Sequence, residues 1–472
     1  MGSGQVTDWQ GKNVTVAGLG VSGVPAAKVL HGLGAKVTVV NDGDDARARE
    51  QAAELEALGV TVRLGDGATL PDGTELIVTA PGWKPDKPLF AAADAAGVPV
   101  WGDVELAWRL RKPGAAPWLA VTGTNGKTTT VQMLASILSA AGLRTAAVGN
   151  IGVSLLDAVL GEEEYDVLAV ELSSYQLHWA PSLRAHSAAV LNLAPDHLDW
   201  HGSMEAYAKD KGRVYEGNRV ACVYNVADKA TEDLVREADV EEGCRAVGFT
   251  LGTPGPSQLG VVENLLVDRA FVENRHKNAQ ELAEVSDVRP PAPHNIANAL
   301  AAAALARAYG VPASAVREGL RAFTPDAHRI AHVADLDGVA YVDDSKATNT
   351  HAAGASLAAY ESIVWIAGGL AKGATFDELV ADSAKRLRGA VLIGRDRALI
   401  REALARHAPE VPVVDLDRTD TGAMLQAVQE AKRLARPGDT VLLAPACASM
   451  DMFANYNKRG DAFAQAVREL GA

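Results

Sequence analysis

Cysteine is scarce in this chain. Its three cysteines in 472 residues, Cys222, Cys244 and Cys447, are far apart and form no Cys-x-x-Cys pair. That pattern argues against a disulfide framework or a cysteine zinc site and fits a reducing compartment. Positive charge is also in deficit: 45 Lys and Arg against 59 Asp and Glu leave a net charge of −14. Such a balance argues against general affinity for nucleic acid, although a local basic site can still hold a small anion. Long apolar runs are missing too. No uninterrupted stretch approaches the about 20 residues that cross a bilayer. The most apolar segment, Ile296 to Tyr309, is broken by Asn298 and Arg307. Met1 to Gln10 shows no basic-then-apolar leader pattern. The expectation is a soluble cytoplasmic monomer with small-molecule partners, no nucleic-acid partner and no membrane insertion.

Hydrophobic residues make up 48% of the chain, ample for several cores, and the length suggests about three domains. The centre of the pattern is Val121-Thr122-Gly123-Thr124-Asn125-Gly126-Lys127-Thr128-Thr129-Thr130. The apolar run Trp118 to Ala120 before it reads as a buried strand, and Val131 to Leu138 after it has helical periodicity. A loop joining strand to helix aims backbone N–H groups and the positive end of a helix dipole at one point. Gly123 and Gly126 allow close approach of an anion, Lys127 adds a charge, and the Thr128 hydroxyl can reach a phosphate-bound Mg²⁺. The usual phosphate loop has a glycine where Val121 stands, so this loop is shorter. The order strand, loop, Gly-Lys-Thr, helix is what a plain glycine-rich turn lacks, and it points to a nucleoside triphosphate site.

Upstream, a strand at Lys12 to Ala17 leads into Gly18-Leu19-Gly20-Val21-Ser22-Gly23 and a helix from Val24 to Leu33. A second strand, Lys36 to Val40, ends at Asn41-Asp42. This G-x-G-x-x-G suits a dinucleotide or the diphosphate of a UDP-sugar equally. Further strands are expected at Val60 to Leu64 and Glu75 to Thr79, the latter followed by the turn Ala80-Pro81-Gly82. Downstream, the strand Asp166 to Val170 ends in Glu171, placed to hold Mg²⁺ or to cap the segment beginning Ser173-Ser174. The strand Ala188 to Asn192 leads to Asp196-His197, and a helix from Met204 to Tyr215 carries Lys209, Lys211 and Arg213. The insert with a hairpin around Glu263-Asn264 shows no chemistry. His294 and Asn298, four apart, share one face of an Ala-rich helix, as a capped start or a ligand-facing edge. Near Pro325 a third region begins, with strands at Val339 to Val342, Ile363 to Ala367, Val391 to Gly394 and Thr440 to Pro445. Their ends carry polar or glycine residues, which puts a ligand surface along one edge of a parallel sheet.

Thr122-Gly123-Thr124-Asn125-Gly126-Lys127-Thr128-Thr129, Glu171-Leu172-Ser173-Ser174, Asp196-His197 and His294-Asn295-x-x-Asn298 together resemble the ATP-dependent Mur ligases of bacterial peptidoglycan synthesis. The runs Asp344-Ser345-Lys346-Ala347-Thr348-Asn349 and Pro445 to Asp451 are similar to the branch of that family that adds D-glutamate. The resemblance implies an α/β chain of three domains. Residues 1–112 would form a Rossmann-like domain for the UDP-substrate, 113–325 a P-loop ATPase-like domain, and 326–472 a Rossmann-like domain for the amino acid.

It also implies the substrates UDP-MurNAc-L-alanine, D-glutamate and ATP, with two Mg²⁺ ions and an acyl-phosphate intermediate. By resemblance, Gly123, Thr124, Asn125, Gly126, Lys127, Thr128, Thr129, Asn295, Asn298, Arg329 and Asp344 would hold ATP. Thr128, Glu171, His197 and a carbamylated Lys211 would hold metal, with Lys209 as the rival for the carbamate. Lys127, Asn150, His197 and Lys211 would lie at the reacting groups. Gly20, Val21, Ser22, Gly23, Asn41, Asp42, Pro81, Gly82 and Ser173 would face the UDP-substrate. Lys346, Thr348, Lys372, Ser449 and Met450 would face D-glutamate. The family often has aspartate where Asn41 stands, so either Asn41 or Asp42 takes the uracil or ribose end. A folate-type polyglutamate ligase would share the phosphate loop without the separate nucleotide fingerprint, and an NAD-linked dehydrogenase would leave Lys127 and Glu171 idle.

Overall fold

The computed structural model describes residues 8–418, 420 and 422–471. Of the Met1–Gln10 stretch, residues 1–7 lie outside the described residues. The chain divides into two compact units. One runs to Asp287 and includes Ala297–Phe323; the other comprises Val288–Ile296 and the chain from Thr324 on.

The first unit holds two sheets. Strands β1 (Asn13–Ala17), β2 (Lys36–Asn41), β3 (Thr61–Leu64), β4 (Leu76–Thr79) and β5 (Val100–Gly102) form a parallel sheet of order β3-β2-β1-β4-β5. The second sheet comprises β6 (Trp118–Thr122), β7 (Thr145–Gly149), β8 (Val167–Glu171), β9 (Ser187–Val190), β10 (Ala221–Asn225), β11 (Arg245–Phe249), β12 (Gln258–Val262), β13 (Leu265–Asp268) and β14 (Gln280–Glu284). Its order is β14-β13-β12-β11-β10-β9-β6-β8-β7. β6 and β8, WLAVT and VLAVE, are buried at every residue. Strands apolar on both faces suit a parallel sheet covered on both sides. β12, β13 and β14 pair antiparallel, as the hairpin around Glu263-Asn264 requires. One apolar core contains Val16 and Leu30 beside the first sheet and Leu168 and Val190 in the second.

The second unit is built on β15 (Ala331–Leu336), β16 (Val339–Asp343), β17 (Ile363–Gly368), β18 (Leu387–Ile393), β19 (Val413–Asp415) and β20 (Thr440–Leu443), in the order β15-β16-β20-β17-β18-β19. The parallel sheet expected here is capped by one antiparallel strand, β15, paired to β16 across the tight turn Asp337-Gly338. The expected helix over Met204 to Tyr215 stops at Gly212 and tightens into a 3₁₀ turn, Arg213–Tyr215. Among the described residues no helix is long and apolar enough to cross a membrane.

Candidate active site

The carboxyl ends of neighbouring strands place the central side chains. In the register of the second sheet Val190 pairs with Thr122, Val121 with Glu171, and Glu171 with Gly149. The phosphate loop, Glu171 and Asn150 therefore leave the sheet side by side, where open α/β sheets bind ligands. The helix after the loop runs Lys127–Ala140, and its N-cap Gly126 has φ 83°. A Cβ at Gly126 would lie 2.4 Å from Asn298 Oδ1. Glycine is needed here both for the backbone angle and for the approach of Asn298. Lys127 Nζ folds back over the loop, 2.8 Å from the carbonyl oxygens of Gly123 and Thr124. Thr124 Oγ1 lies 3.0 Å from Tyr207 Oη, and Asn125 N–H donates to Asn192 Oδ1 at 2.9 Å. Thr128 is half-buried and Thr129 buried on the first turn of the helix.

Behind the loop stands Lys211, a fully buried lysine. Its Nζ donates to Gly123 O at 2.9 Å and sits 4.7 Å from the Tyr207 ring centre. Burial, with the nearby Lys127 charge, pushes this amine well below the usual lysine range, towards the neutral form. Lys209, two residues earlier, is exposed. Glu171 is buried; Asn150 Nδ2 donates to its Oε1 at 3.0 Å, while Oε2 finds no hydrogen-bond partner. An orphaned buried carboxylate oxygen is costly unless a cation meets it. His197 has φ 54° and its ring lies 4.9 Å from that of Tyr175. Burial lowers its pKa; Asp196 opposes the shift, and Lys127 and Lys211 reinforce it. A neutral imidazole is the form that can ligate a metal. Among the described residues no three His, Cys, Asp or Glu side chains gather as a ready cation site.

Sequence reasoning missed the ring of groups around Asp210. His178 Nδ1 and His201 Nδ1 lie 2.8 and 3.0 Å from Asp210 Oδ2, and Arg213 Nε lies 3.2 Å from Oδ1. Burial alone would raise this carboxyl; the hydrogen bonds from the two imidazoles hold it down at about 2. It also missed Asp103, half-buried, whose Oδ2 accepts from Ser22 Oγ at 3.2 Å and Gln176 Nε2 at 3.4 Å. No local spacing signals either group, since each is assembled from separate elements.

The fingerprint loop of the first sheet is tight. Gly18 and Gly20 have φ 98° and 104°, and a Cβ on Gly23 would meet Gly18 O at 1.9 Å. Val21 is exposed at the loop tip. Asn41 Oδ1 accepts from the Leu19 N–H at 3.2 Å, so Asn41 braces the loop, while Asp42 pairs with Lys87. The Pro81-Gly82 turn meets the His197 segment: Trp200 Nε1 donates to Gly82 O at 3.3 Å and Lys84 Nζ to Asp199 O at 2.7 Å. Ser173 spends its hydroxyl on a capping box with Gln176 at the start of the helix Ser174–His178.

In the second unit the ends of β16, β20 and β17 are neighbours. They bring together Asp344, Lys346 and Thr348, then Ser449 and Met450, then Lys372. Leu370 and Ala448 exchange backbone hydrogen bonds of 2.9 Å, which ties the Lys372 loop to the Ser449 loop. Lys346 Nζ lies 4.1 Å from the Tyr456 ring centre. Ser449 is buried, Met450 exposed, and Lys372 exposed with φ 50°. Asp344 is buried and accepts from Ser356 Oγ and from the Ile330 N–H at 3.3 Å. Burial raises it to about 6 against those bonds. Arg329 Nε stands 3.9 Å from Asp326 Oδ2. Asn295 Nδ2 donates to Pro290 O at 3.2 Å, and His294 is held neutral, at about 4, by burial. Arg459, also missed, is fully buried and donates to Ser345 O and Cys447 O, fastening two strand ends together.

Residues 121–306 match the family described as Mur ligase middle domain, and 328–447 match Mur ligase, glutamate ligase domain. The UDP-N-acetylmuramoylalanine–D-glutamate ligase of Streptomyces coelicolor is 90% identical over 471 residues, covering 99% of this chain and 100% of that one. The chain belongs to the Mur ligase family. The enzyme of the same name from Streptomyces avermitilis is 89% identical over 467 residues, 99% of this chain and 100% of that one. This Mur ligase is therefore an enzyme of the D-glutamate-adding branch. The UDP-N-acetylmuramate-alanine ligase MurC of Thermotoga maritima, 19% identical, shares the fold with a TM-score of 0.54 over 97% of this chain and 99% of its own. Residues 13–75 also match the pyridine nucleotide-disulphide oxidoreductase family. That match covers the fingerprint loop and its neighbouring strands, the part a dinucleotide enzyme would share.

Proposed function

We propose that this Mur ligase joins D-glutamate to UDP-MurNAc-L-alanine with ATP, in the cytoplasm and as a monomer. The Cys222 and Cys244 sulfurs lie 3.9 Å apart. The proposed domain limits are 1–112, 113–325 and 326–472, for the UDP-substrate, ATP and D-glutamate respectively. The substrate carboxylate attacks the γ-phosphorus of ATP, ADP leaves, and an acyl phosphate forms. The amine of D-glutamate then attacks the acyl carbon, and phosphate leaves as the amide forms. Such transfers depend on positioning and charge neutralisation more than on covalent help from the protein.

Gly123 to Thr129 cradle the phosphates, with Lys127 as the mobile charge and Asn298 against Gly126. Asn295, Arg329 and Asp344 complete the ATP set. Gly20 to Gly23, Asn41, Asp42, Pro81, Gly82 and Ser173 receive the UDP-substrate. Lys346, Thr348, Lys372, Ser449 and Met450 receive D-glutamate. Two Mg²⁺ ions, when bound, would neutralise phosphate charge; Thr128, Glu171, His197 and a carbamylated Lys211 would hold them. Asn150 holds Glu171 and lies beside the reacting carboxylate.

The observation that carries this reading is Lys211: a buried amine, biased to the neutral form, at the foot of a phosphate loop and near the unpartnered Glu171 oxygen. A neutral amine can add CO₂, and the carbamate formed presents two oxygens that suit a hard cation. Incubation with ATP, UDP-MurNAc-L-alanine and a panel of amino acids tests the reading. Phosphate release should require D-glutamate; equal release with L-glutamate or L-lysine overturns it.

A further inference from the structure

The helix that carries Lys211, Met204–Gly212, is only nine residues long, yet it buries Tyr207, Asp210 and Lys211. Tyr207 and Lys211, one turn apart, both face the phosphate loop, through Thr124 Oγ1 and Gly123 O. Asp210 binds other partners, and besides Arg213, which follows it in the chain, they come from two other elements. His178 belongs to the helix Ser174–His178, and His201 to the short helix Leu198–His201. The carboxylate can only accept, so both imidazoles donate through Nδ1. His201, its side chain fully buried, is held at its other nitrogen by the Ser174 hydroxyl, 2.9 Å from Nε2. Tyr175 stacks on His201 with centroids 5.5 Å apart. Both nitrogens of the His201 ring are engaged, and Asp210 meets two imidazoles at Oδ2 and the Arg213 guanidinium at Oδ1.

We propose that Asp210 is a positioning residue for Lys211: through His178 and His201–Ser174 it fixes the rotation of the lysine helix, and so the place of Nζ against the phosphate loop. The geometry suits this role. Tyr207 and Lys211 grip the loop from one side of a nine-residue helix, and a helix that short has little intrinsic stability to hold its own register. The Asp210 contacts supply the second side of the grip. Without them the helix can turn about its axis, and a shift of about 1 Å at the reacting groups costs on the order of 100-fold in rate. The inference rests on the proposed role of Lys211 as the carbamate.

The test compares Asp210→Ala, Asp210→Asn and His201→Gln with the parent enzyme. Asp210→Ala should lose about 100-fold in kcat while KM for the UDP-substrate stays within about 2-fold, because the fingerprint loop is untouched. Asp210→Asn keeps an acceptor of the same shape, so it should recover most of that loss, to within about 5-fold of the parent. His201→Gln should fall between them. Carbon-13 NMR after incubation with labelled bicarbonate gives a readout that a general loss of fold would not select. The parent should show a lysine carbamate signal, and Asp210→Ala should show a weaker one at unchanged melting temperature. Unchanged kcat in Asp210→Ala, or a kcat loss matched by an equal rise in KM, overturns the proposal. A lower melting temperature with the same loss in Asp210→Asn also overturns it. No carbamate signal in the parent would instead remove the carbamate reading, and the kcat and KM comparison would still decide the positioning role.

Discussion

Lys211 Nζ lies 2.9 Å from the carbonyl oxygen of Gly123, the first glycine of the phosphate loop. A charged ammonium at that place would oppose Mg²⁺ binding. Lys211→Ala is expected to lose most activity, and a short carboxylic acid in solution should restore part of it by filling the vacated space. Lys209→Ala should stay active, since Lys209 is exposed. Phosphate-release assays with and without acetate check this. Acid rescue of Lys209→Ala instead would move the assignment by two residues.

Lys127 belongs to the phosphate loop, and the fingerprint loop belongs to a different sheet. Lys127→Ala should cut phosphate release by about 100- to 1000-fold, the usual cost of one electrostatic contact to a transition state. Calorimetry should find affinity for the UDP-substrate nearly intact. An equal loss of that affinity would count against separate sites.

Gly126 combines φ 83° with the approach of Asn298 Oδ1 to 2.4 Å from any Cβ. Gly126→Ala forces a left-handed alanine and displaces Asn298, at a cost of about 1–3 kcal/mol from the backbone alone. Nucleotide affinity, measured by titration with ADP, should fall more than the melting temperature. Parent-like affinity would show that the loop can relax around the added methyl.

Asp344 has its pKa raised to about 6 by burial, against an ordinary value of 3.8. The folded chain then binds the proton more tightly than the unfolded chain. Its contribution to stability is full below about pH 4 and is lost as pH rises through about 6. Two units correspond to about 3 kcal/mol as an upper bound. Asp344→Asn should match the parent near pH 4 and unfold at higher temperature at pH 7, with reduced activity. A constant difference between the two proteins across that range would contradict the assignment.

The strands that organise the molecule were legible because they are apolar on both faces: β1, β2, β6, β8, β16, β17 and β20 stand where their residues predict. Two of those missed, β7 (TAAVG) and β11 (RAVGF), are of ordinary length, and the others are short or polar. β5 has three residues, β19 three, and β14 reads QELAE. Their strand character comes from pairing rather than from pattern. β15, AHVADL, is an edge strand whose mixed composition hides it. The site divides in the same way. Gly126, Lys127 and Glu171 declare themselves by their order along the chain. Asp103, Asp210, His178, His201 and Arg459 act through contacts between distant segments, and no spacing announces them. The burial of Lys211 beside an exposed Lys209 is likewise a tertiary fact that two lysines in one helix cannot convey.

The most direct test of the whole account traces oxygen through the reaction. UDP-MurNAc-L-alanine carrying oxygen-18 at both carboxylate positions is turned over with ATP and D-glutamate, and the released phosphate is analysed by mass. An acyl phosphate requires one labelled oxygen to leave with each phosphate, the other staying in the new amide. Unlabelled phosphate would contradict the account, because the carboxylate would then never have been phosphorylated.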